Sequence, residues 1–402
     1  MEKTDEKTGA SLTRRELVVG AGAAVMLGVA GCSDSGAADI GPVVYVGTYT
    51  APNTAPGGTV PSTAQGIYVF RMDMATGGLT PLQTIATENP AYLAQHPTLS
   101  VLYACNETKP GAVSAYSIGG DGNLTFINSK PANGAWTTHV HAHPSGKYLL
   151  ASNYGNGTET PGNVTVFALG TDGSIGAMTA DFRGTGNGTG PNPDRQEAPH
   201  AHQVISDPGA LRVFNVDLGA DKVNILNLSL TTGALTANAV PFANTAAGSG
   251  PRHMAFHSNG KYAYVLNELV PTIDVFDYDA TRGALVWKQS ANRLPASWTG
   301  GKSGAEIRIT PNGKFLYNTN RGHNSVGAYS IGTDGTLTLI NTYTSGGDWP
   351  RGMAIDPTGT FLYAMNQNGN SILVYRIGAD GGLTSTGITV NTPVPVDMVF
   401  GR

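Results

Sequence analysis

Short segments in which apolar and polar residues alternate recur along the chain from Val43 onward. Thr272 to Tyr278 is one example, and its period of two is typical of a strand with one buried face. Each such segment leads into a turn with the pattern Gly-x-Leu or Gly-x-Ile, which predicts a hairpin. The seven turn glycines follow one another at intervals of 45 to 60 residues: Gly77, Gly122, Gly173, Gly233, Gly283, Gly335 and Gly381.

A second hairpin precedes each of these pairs of strands. In one repeat, Met254 to Phe256 and Tyr262 to Asn267 flank the turn sequence Ser-Asn-Gly that ends at Gly260. Four strands per repeat at this spacing are typical of a propeller blade. The sequence therefore predicts an all-β fold, a seven-bladed β-propeller with four antiparallel strands in each blade.

The two ends of the repetitive region complement each other. The segment from Val43 to Tyr49 matches a second strand, whereas Pro395 to Phe400 aligns with the first strand that begins at Pro251. We therefore expect the C-terminal strand to join the N-terminal blade and close the ring, so that residues 42–402 form one propeller domain.

The first 41 residues have the features of an export signal. Arg14 and Arg15 precede an apolar run from Val18 to Ala30 that is too short to span a bilayer, and the run ends in a sequence similar to a lipobox at Cys32. We predict a Tat-like lipoprotein signal peptide over residues 1–32 and a tether over 33–41. A cytoplasmic amphipathic helix is the alternative, but the run has no polar face. The prediction is a periplasmic or cell-surface protein whose contact with the membrane is a lipid on Cys32.

The amino-acid composition agrees with an all-β protein and limits the classes of partner that we expect. The 402 residues include 54 glycines, and only 13% of them are charged, which suits many tight turns. The net charge of −4 argues against a nucleic-acid partner. With two cysteines, one of them in the predicted signal, a disulfide framework is not expected.

Polar residues recur at one position of the first strands, which line the channel of a propeller. Aligned on the turn proline that follows each strand, the position five residues earlier is polar in six of seven repeats: Tyr92, His139, Gln203, His253, Glu306, Gly352 and Asp397. We expect these residues to ring the channel mouth. One position further out stand His202, Arg252 and Arg351. The ends of the antiparallel second strands bring further polar residues to the same rim, among them Glu107, Glu268 and Arg321.

A long inter-blade loop, residues 183–197, is predicted to carry Arg195 over this mouth. Its Gly-x-Gly-x-Gly run is a weak phosphate-loop signal because no helix follows. Purely structural roles stay open for two sets of polar residues: Arg252 and Glu306 as a buried ion pair between blades, and the asparagines that end the second strands as caps of backbone groups. His139, His141 and His143 alternate on one strand, which is a weak zinc signal, and we predict no metal site.

Several motifs resemble the lactonase family of seven-bladed propellers, which includes 6-phosphogluconolactonases of the propeller type and carboxy-muconate cyclases. The motifs that carry the resemblance are Tyr45-Val46-Gly47-Thr48-Tyr49, Pro199-His200-Ala201-His202, Gly250-Pro251-Arg252-His253, Asn267-Glu268-Leu269 and Asn320-Arg321-Gly322-His323. The resemblance implies hydrolysis or formation of a lactone, without metal or organic cofactor, at a channel-mouth site that contains His, Glu and Arg.

From the ring and the resemblance together, we expect His139, Glu306 and Arg252 to be catalytic. The expected substrate contacts are Arg195, His200, His202, His253, Glu268, Arg321, His323 and Arg351. The predicted partner is a small-molecule lactone of a sugar or another acidic compound, and an exported protein would seldom meet a phosphorylated sugar lactone. A non-catalytic exported binding or scaffold propeller and a muconate-type lactonizing cyclase are the competing hypotheses.

Overall fold

The computed structural model describes residues 41–50, 61–186 and 192–401, which form seven antiparallel sheets of four strands each. The predicted signal peptide and nearly all of the tether lie outside these residues. In chain order the strands are β1 Val43–Thr48, β2 Gly66–Met72, β3 Leu79–Ala86, β4 Pro90–Gln95, β5 Val101–Asn106, β6 Ala112–Ile118, β7 Leu124–Pro131, β8 Thr137–Ala142, β9 Tyr148–Asn156, β10 Thr160–Leu169, β11 Ile175–Arg183, β12 Ala201–Ser206, β13 Arg212–Asp217 and β14 Lys222–Leu228. They continue as β15 Leu235–Asn244, β16 Pro251–Phe256, β17 Tyr262–Asn267, β18 Thr272–Asp279, β19 Ala284–Asn292, β20 Ser303–Ile309, β21 Phe315–Arg321, β22 Ser325–Ile331, β23 Leu337–Thr344, β24 Pro350–Ile355, β25 Phe361–Asn366, β26 Ser371–Ile377, β27 Leu383–Asn391 and β28 Pro395–Phe400.

The ring closes as the sequence predicted. The first blade has the order β28-β1-β2-β3, and blades two to seven are β4–β7, β8–β11, β12–β15, β16–β19, β20–β23 and β24–β27. Val399 and Met398 of β28 pair with Tyr45 and Val46 of β1. A short 3-10 helix, Pro193–Arg195, lies in the loop between β11 and β12. Within the described ranges no helix is long and apolar enough to cross a bilayer.

The core lies between neighbouring blades. The predicted apolar position of the first strands is at most 3% exposed in every blade: Leu93, Val140, Val204, Met254, Ile307, Met353 and Met398. Met254 packs with Phe214 and Val216 of the preceding blade, so this column joins blades rather than strands of one sheet. Burial of an apolar column of this kind stabilises a propeller in place of a single central core.

A β-bulge interrupts the first strand of every blade near its entry. The pairing of β16 with β17, for example, jumps from Pro251 to His253 and leaves Arg252 as the extra residue. The corresponding extra residues of six blades are Ala91, Thr138, His202, Arg252, Arg351 and Val396, and in the sixth blade Ala305 and Glu306 together oppose Thr319. A bulge redirects a side chain that strict alternation would turn away, and it is common beside functional sites.

The seven turn glycines hold neighbouring blades together. All seven have a positive φ, between 67° and 89°, and at Gly335 a Cβ would lie 2.5 Å from the ring of Tyr262 in the preceding blade. The carbonyl of Gly335 also accepts a hydrogen bond of 3.0 Å from the Tyr264 hydroxyl. Both the backbone conformation and the close approach of the next blade therefore require glycine in the Gly-x-Leu turn.

Replacing Gly335 by alanine is expected to lower the free energy of unfolding by about 2–5 kcal/mol. The loss has two causes, because an alanine is strained in a left-handed backbone conformation and its Cβ would overpack against Tyr262. Gly260 is the matched control, because its φ is also positive, 69°, but a Cβ there would meet nothing within 4 Å. Gly260→Ala should therefore cost only the backbone part, about 1–2 kcal/mol. Urea unfolding of both variants measures the difference, and equal losses would contradict a specific contact between blades.

Candidate functional site

Two sets of side chains converge above one end of the channel and form what we call the cup. Most of it comes from the bulges of the first strands and from residues at or directly after the point where the second strands stop pairing with the first strands. The loop after β11 adds one arginine. The polar residues in the wall of the cup are Tyr49, Glu107, Thr138, Tyr154, Arg195, His202, Arg252, Glu268, Arg321 and Arg351, and those in its floor are Tyr92, His253 and Glu306.

Glu268 is the centre of an ion-pair network in the cup. Its Oε1 lies 2.8 Å from the Arg195 guanidinium, and its Oε2 lies 3.1 Å from Nε of Arg252 and 2.9 Å from the Arg321 guanidinium. Burial alone would raise the pKa of this carboxyl, but the three guanidiniums, led by Arg321, hold it well below its usual range. Glu268 is therefore an ionised carboxylate whose role is to hold arginines rather than to take up protons.

Tyr49, Glu107 and Arg351 line the other side of the cup. The Tyr49 hydroxyl donates a hydrogen bond of 2.6 Å to Oε2 of Glu107. The Arg351 guanidinium lies 3.9 Å from the same carboxylate oxygen and 5.2 Å from the centre of the Tyr49 ring. With Arg195, Arg252 and Arg321, this arginine gives the cup four guanidiniums against the three carboxylates of Glu107, Glu268 and Glu306, so the cup favours an anionic ligand or transition state.

A histidine and a glutamate lie in the floor of the cup. Nδ1 of His253 lies 3.2 Å from the Glu306 carboxylate, and the buried Nε2 of His253 has no hydrogen-bond partner among the residues that the structure describes. Burial lowers the pKa of His253 to about 4 against the opposing effect of Glu306. Burial would raise the pKa of Glu306, but Arg308 and then His253 lower it to about 2. At neutral pH the pair therefore consists of a carboxylate and a neutral imidazole with a free lone pair.

The ring below the cup closes the channel. Arg308 of the sixth blade donates a hydrogen bond of 2.7 Å across the channel to the Tyr92 hydroxyl of the second blade, and the Tyr92 ring packs 4.1 Å from the ring of His139. Below this contact lies a separate cavity of about 640 Å³, which His139 lines together with apolar ends of the first strands. The predicted ring thus separates the cup from a lower cavity, and His139 faces the lower one.

The remaining predicted contacts lie outside the lining of the cup. His200 stacks on the Tyr154 ring at 4.1 Å and lies 3.2 Å from Glu197. His323 packs edge-on against Trp298 at 4.6 Å and bonds to the Ser325 hydroxyl at 2.7 Å. Both histidines support residues near the rim. The described residues include no group of three or more His, Cys, Asp or Glu arranged to hold a metal ion.

The contacts also decide the two structural roles that the sequence left open. The alternative in which Arg252 and Glu306 form an ion pair with each other is not observed, since Arg252 pairs with Glu268 and Glu306 pairs with His253 and Arg308. The capping interpretation of the asparagines is confirmed where the structure shows their bonds. Asn153 donates to the carbonyl of Ala132, and Asn366 donates to the carbonyl of Ser345.

Four residues in the wall of the cup were not among the predicted catalytic or substrate-binding residues: Tyr49, Glu107, Thr138 and Tyr154. Thr138 is the extra residue of a bulge. A signal for the other three exists in the sequence, because each directly follows the residue of a second strand that pairs last with the first strand of its blade. Glu268 follows Asn267 in the same way. Where this preceding residue is an asparagine, its side chain forms structural hydrogen bonds, as Asn153 does with the carbonyl of Ala132, and the next residue lines the cup.

Comparison with known proteins agrees with this architecture. The family model described as lactonase, 7-bladed beta-propeller, matches residues 43–400. A 6-phosphogluconolactonase from Bacillus subtilis (strain 168) is 35% identical over 311 residues, which cover 76% of this chain and 83% of the relative. A 6-phosphogluconolactonase from Serratia proteamaculans (strain 568) is 33% identical over 291 residues, 72% of this chain and 81% of the relative.

A solved structure is also similar over most of its length. The periplasmic gluconolactonase of Pseudomonas aeruginosa superimposes with a TM-score of 0.83 at 28% identity, over 90% of this chain and 99% of that protein. The match to the family model spans all seven blades, including β28. This chain therefore belongs to the lactonase family of seven-bladed β-propellers.

Proposed function

We propose that this protein hydrolyses a lactone in the cup, and that the substrate is the lactone of a sugar acid or of another acidic compound. The observation that carries the proposal is the excess of guanidiniums beside His253, whose Nε2 accepts no hydrogen bond from any described residue. The relatives named as 6-phosphogluconolactonases and as a gluconolactonase support the reaction class.

The arginines of the cup stabilise the negative charge that develops during ring opening. Attack of water on the lactone carbonyl places charge on the carbonyl oxygen, and donors already fixed around that position lower the barrier. Arg252 is 3% exposed and is held by Glu268 and by a bond of 2.5 Å to the carbonyl of Ala305. Its orientation is therefore set before the substrate enters, which keeps the cost of reorganisation low.

His253 is the base that accepts the proton of the attacking water. The Glu306 carboxylate fixes the imidazole as the tautomer with hydrogen on Nδ1, which leaves Nε2 to accept the proton. The other carboxylate near the centre of the cup, Glu268, is held by three guanidiniums and is a poor base. After ring opening, the imidazolium returns the proton to the departing alkoxide oxygen, and the product is a hydroxy acid.

Export to the periplasm or cell surface and lipidation of Cys32 are part of the same proposal. Their support is the twin arginine, the apolar run and the lipobox-like sequence, together with the periplasmic gluconolactonase among the similar structures. A substrate outside the cytoplasm favours an unphosphorylated acidic lactone.

We expect wild-type protein to release acid from at least one member of a panel of aldonolactones in a pH-stat assay. Arg252→Ala should lower kcat/KM about 10²- to 10³-fold because a fixed donor is lost. Glu306→Gln should lower it about 10²-fold or more, since the imidazole loses its orientation and its counter-charge. Arg282→Ala is the control, because it removes an exposed guanidinium from an outer turn and should leave the rate unchanged. Equal rates for wild type, Arg252→Ala and Glu306→Gln would reject the proposed site.

A further inference from the structure

Arg293 is the largest fully buried side chain of the described residues, with an exposed fraction of 0%. It follows the end of β19 and has no carboxylate partner within the described part of the chain. Its guanidinium bonds only to neutral acceptors, and burial lowers its pKa to about 10. A buried charge without an ion pair costs free energy of folding. We therefore expect the Arg293 guanidinium to make contacts that a neutral side chain could not make.

The contacts of Arg293 join the two blades that supply Glu268 and Arg321. Its guanidinium donates to Oδ1 of Asn320 at 2.7 Å, to the carbonyl of Val270 at 3.1 Å and to the carbonyl of Glu268 at 3.4 Å. It also donates to the carbonyl of Lys302. Asn320 and Glu268 belong to neighbouring blades, and the planar fork of an arginine suits several diverging acceptors.

The entry of β20 accepts bonds from two arginines of the cup as well. Arg321 donates to the carbonyl of Gly304 at 2.7 Å, and Arg252 donates to the carbonyl of Ala305 at 2.5 Å. Together with the bond from Arg293 to Lys302, three arginines thus bind almost consecutive carbonyls of one segment. Gly304 leaves room for this arrangement, because a Cβ there would lie 3.1 Å from Cζ of Arg293.

We propose that Arg293 is a positioning residue that fixes the carboxylate of Glu268 relative to Arg321 and Arg252 from behind the cup. The inference rests on the proposed function, since its readout is turnover of a lactone. Arg293 does not line the cup, so its effect on catalysis passes through the backbone of Glu268 and the side chain of Asn320. A displacement of about 1 Å in such a network is enough to lower turnover on the order of 100-fold.

The test compares Arg293→Met and Arg293→Lys with Arg212→Met. Arg212 is the matched control because it also donates to two carbonyls of the next blade, those of Ala280 and Thr281 at 2.9 Å, but far from the cup. Each purified protein is assayed with the aldonolactone that wild type hydrolyses, at a temperature at which circular dichroism shows it folded. We expect kcat/KM to fall about 10- to 100-fold in Arg293→Met, to recover in part in Arg293→Lys, and to stay unchanged in Arg212→Met.

The outcomes separate this inference from the proposed function. If wild type hydrolyses a lactone and Arg293→Met retains its kcat/KM, the positioning role is wrong while the proposed function stands. Parallel losses in Arg293→Met and Arg212→Met would show a general effect of stability and would also overturn the inference. If Arg293→Met does not fold, Arg293→Lys decides: a lowered kcat/KM with a folded protein supports the role, and an unchanged one rejects it.

Discussion

Replacing Glu268 by glutamine is expected to lower the free energy of unfolding by about 3–5 kcal/mol at neutral pH and to abolish most lactone hydrolysis. Glu268 is 3% exposed and is the shared partner of Arg195, Arg252 and Arg321. An amide in its place leaves these guanidiniums buried without a counter-charge, and they repel one another. The arginines then move apart, and the position prepared for the lactone oxygen is lost.

The pH dependence of unfolding provides a second check of Glu268. Because the folded protein depresses the pKa of this carboxyl, its contribution is fully present above its ordinary value of 4.5 and is lost as the pH falls below it. The difference in stability between wild type and Glu268→Gln should therefore shrink towards acid pH. Glu197→Gln is the control, since that carboxylate is 34% exposed and its ion-pair partner among the described residues is His200; the substitution should cost less than about 1 kcal/mol. A constant difference between neutral and strongly acid pH would contradict the ion-pair assignment.

Deleting residues 395–402 is expected to abolish cooperative folding of the propeller. The deletion removes β28, which is the inner strand of the first blade and the sole partner of the free edge of β1 among the described strands. It also removes Val396 and Met398, which are 4% and 3% exposed, and the bond of 2.8 Å from the amide of Leu93 to Asp397. The loss spans both interfaces of the first blade, so the ring has no other way to close.

Circular dichroism and urea unfolding of the truncated protein measure this effect. Deletion of residues 401 and 402 alone is the control, because it leaves every paired residue of β28 in place and should retain a cooperative transition. A single transition with the wild-type midpoint in the longer deletion would show that the ring does not depend on the closing strand.

The position of the arginines illustrates the limit of strand periodicity. Strict alternation turns Arg252 and His253 to opposite faces, yet both line the cup because Arg252 is the extra residue of a bulge. A bulge is a property of the pairing between two strands, and one strand read alone does not show it. Sequence alignment therefore placed His202, Arg252 and Arg351 at the entry of their strands without showing that they face inward.

The partners of the charged residues also depend on tertiary contacts that one strand read alone does not show. Glu306 precedes Arg308 by two residues on one strand, and they pair at 2.9 Å, whereas Arg252 pairs with Glu268 at the end of the neighbouring strand. Arg195 reaches Glu268 across 73 positions of the sequence. Ion pairs between residues so far apart in the sequence depend on how the blades are oriented around the propeller axis. The sequence therefore showed which charged residues reach the rim but not which of them form ion pairs.

By itself, the sequence determined the number of blades, the strands of each blade, the closure by β28 and the columns that hold the polar groups. These features follow from local rules, since alternation, positive-φ glycines and strand ends depend on a few neighbouring residues. Only the tertiary structure decided that Glu268 collects three guanidiniums, that Arg308 and Tyr92 close the channel above His139, and that Arg293 supports the cup from behind. Most of those contacts join different blades, and their distances are set by the packing of the whole ring.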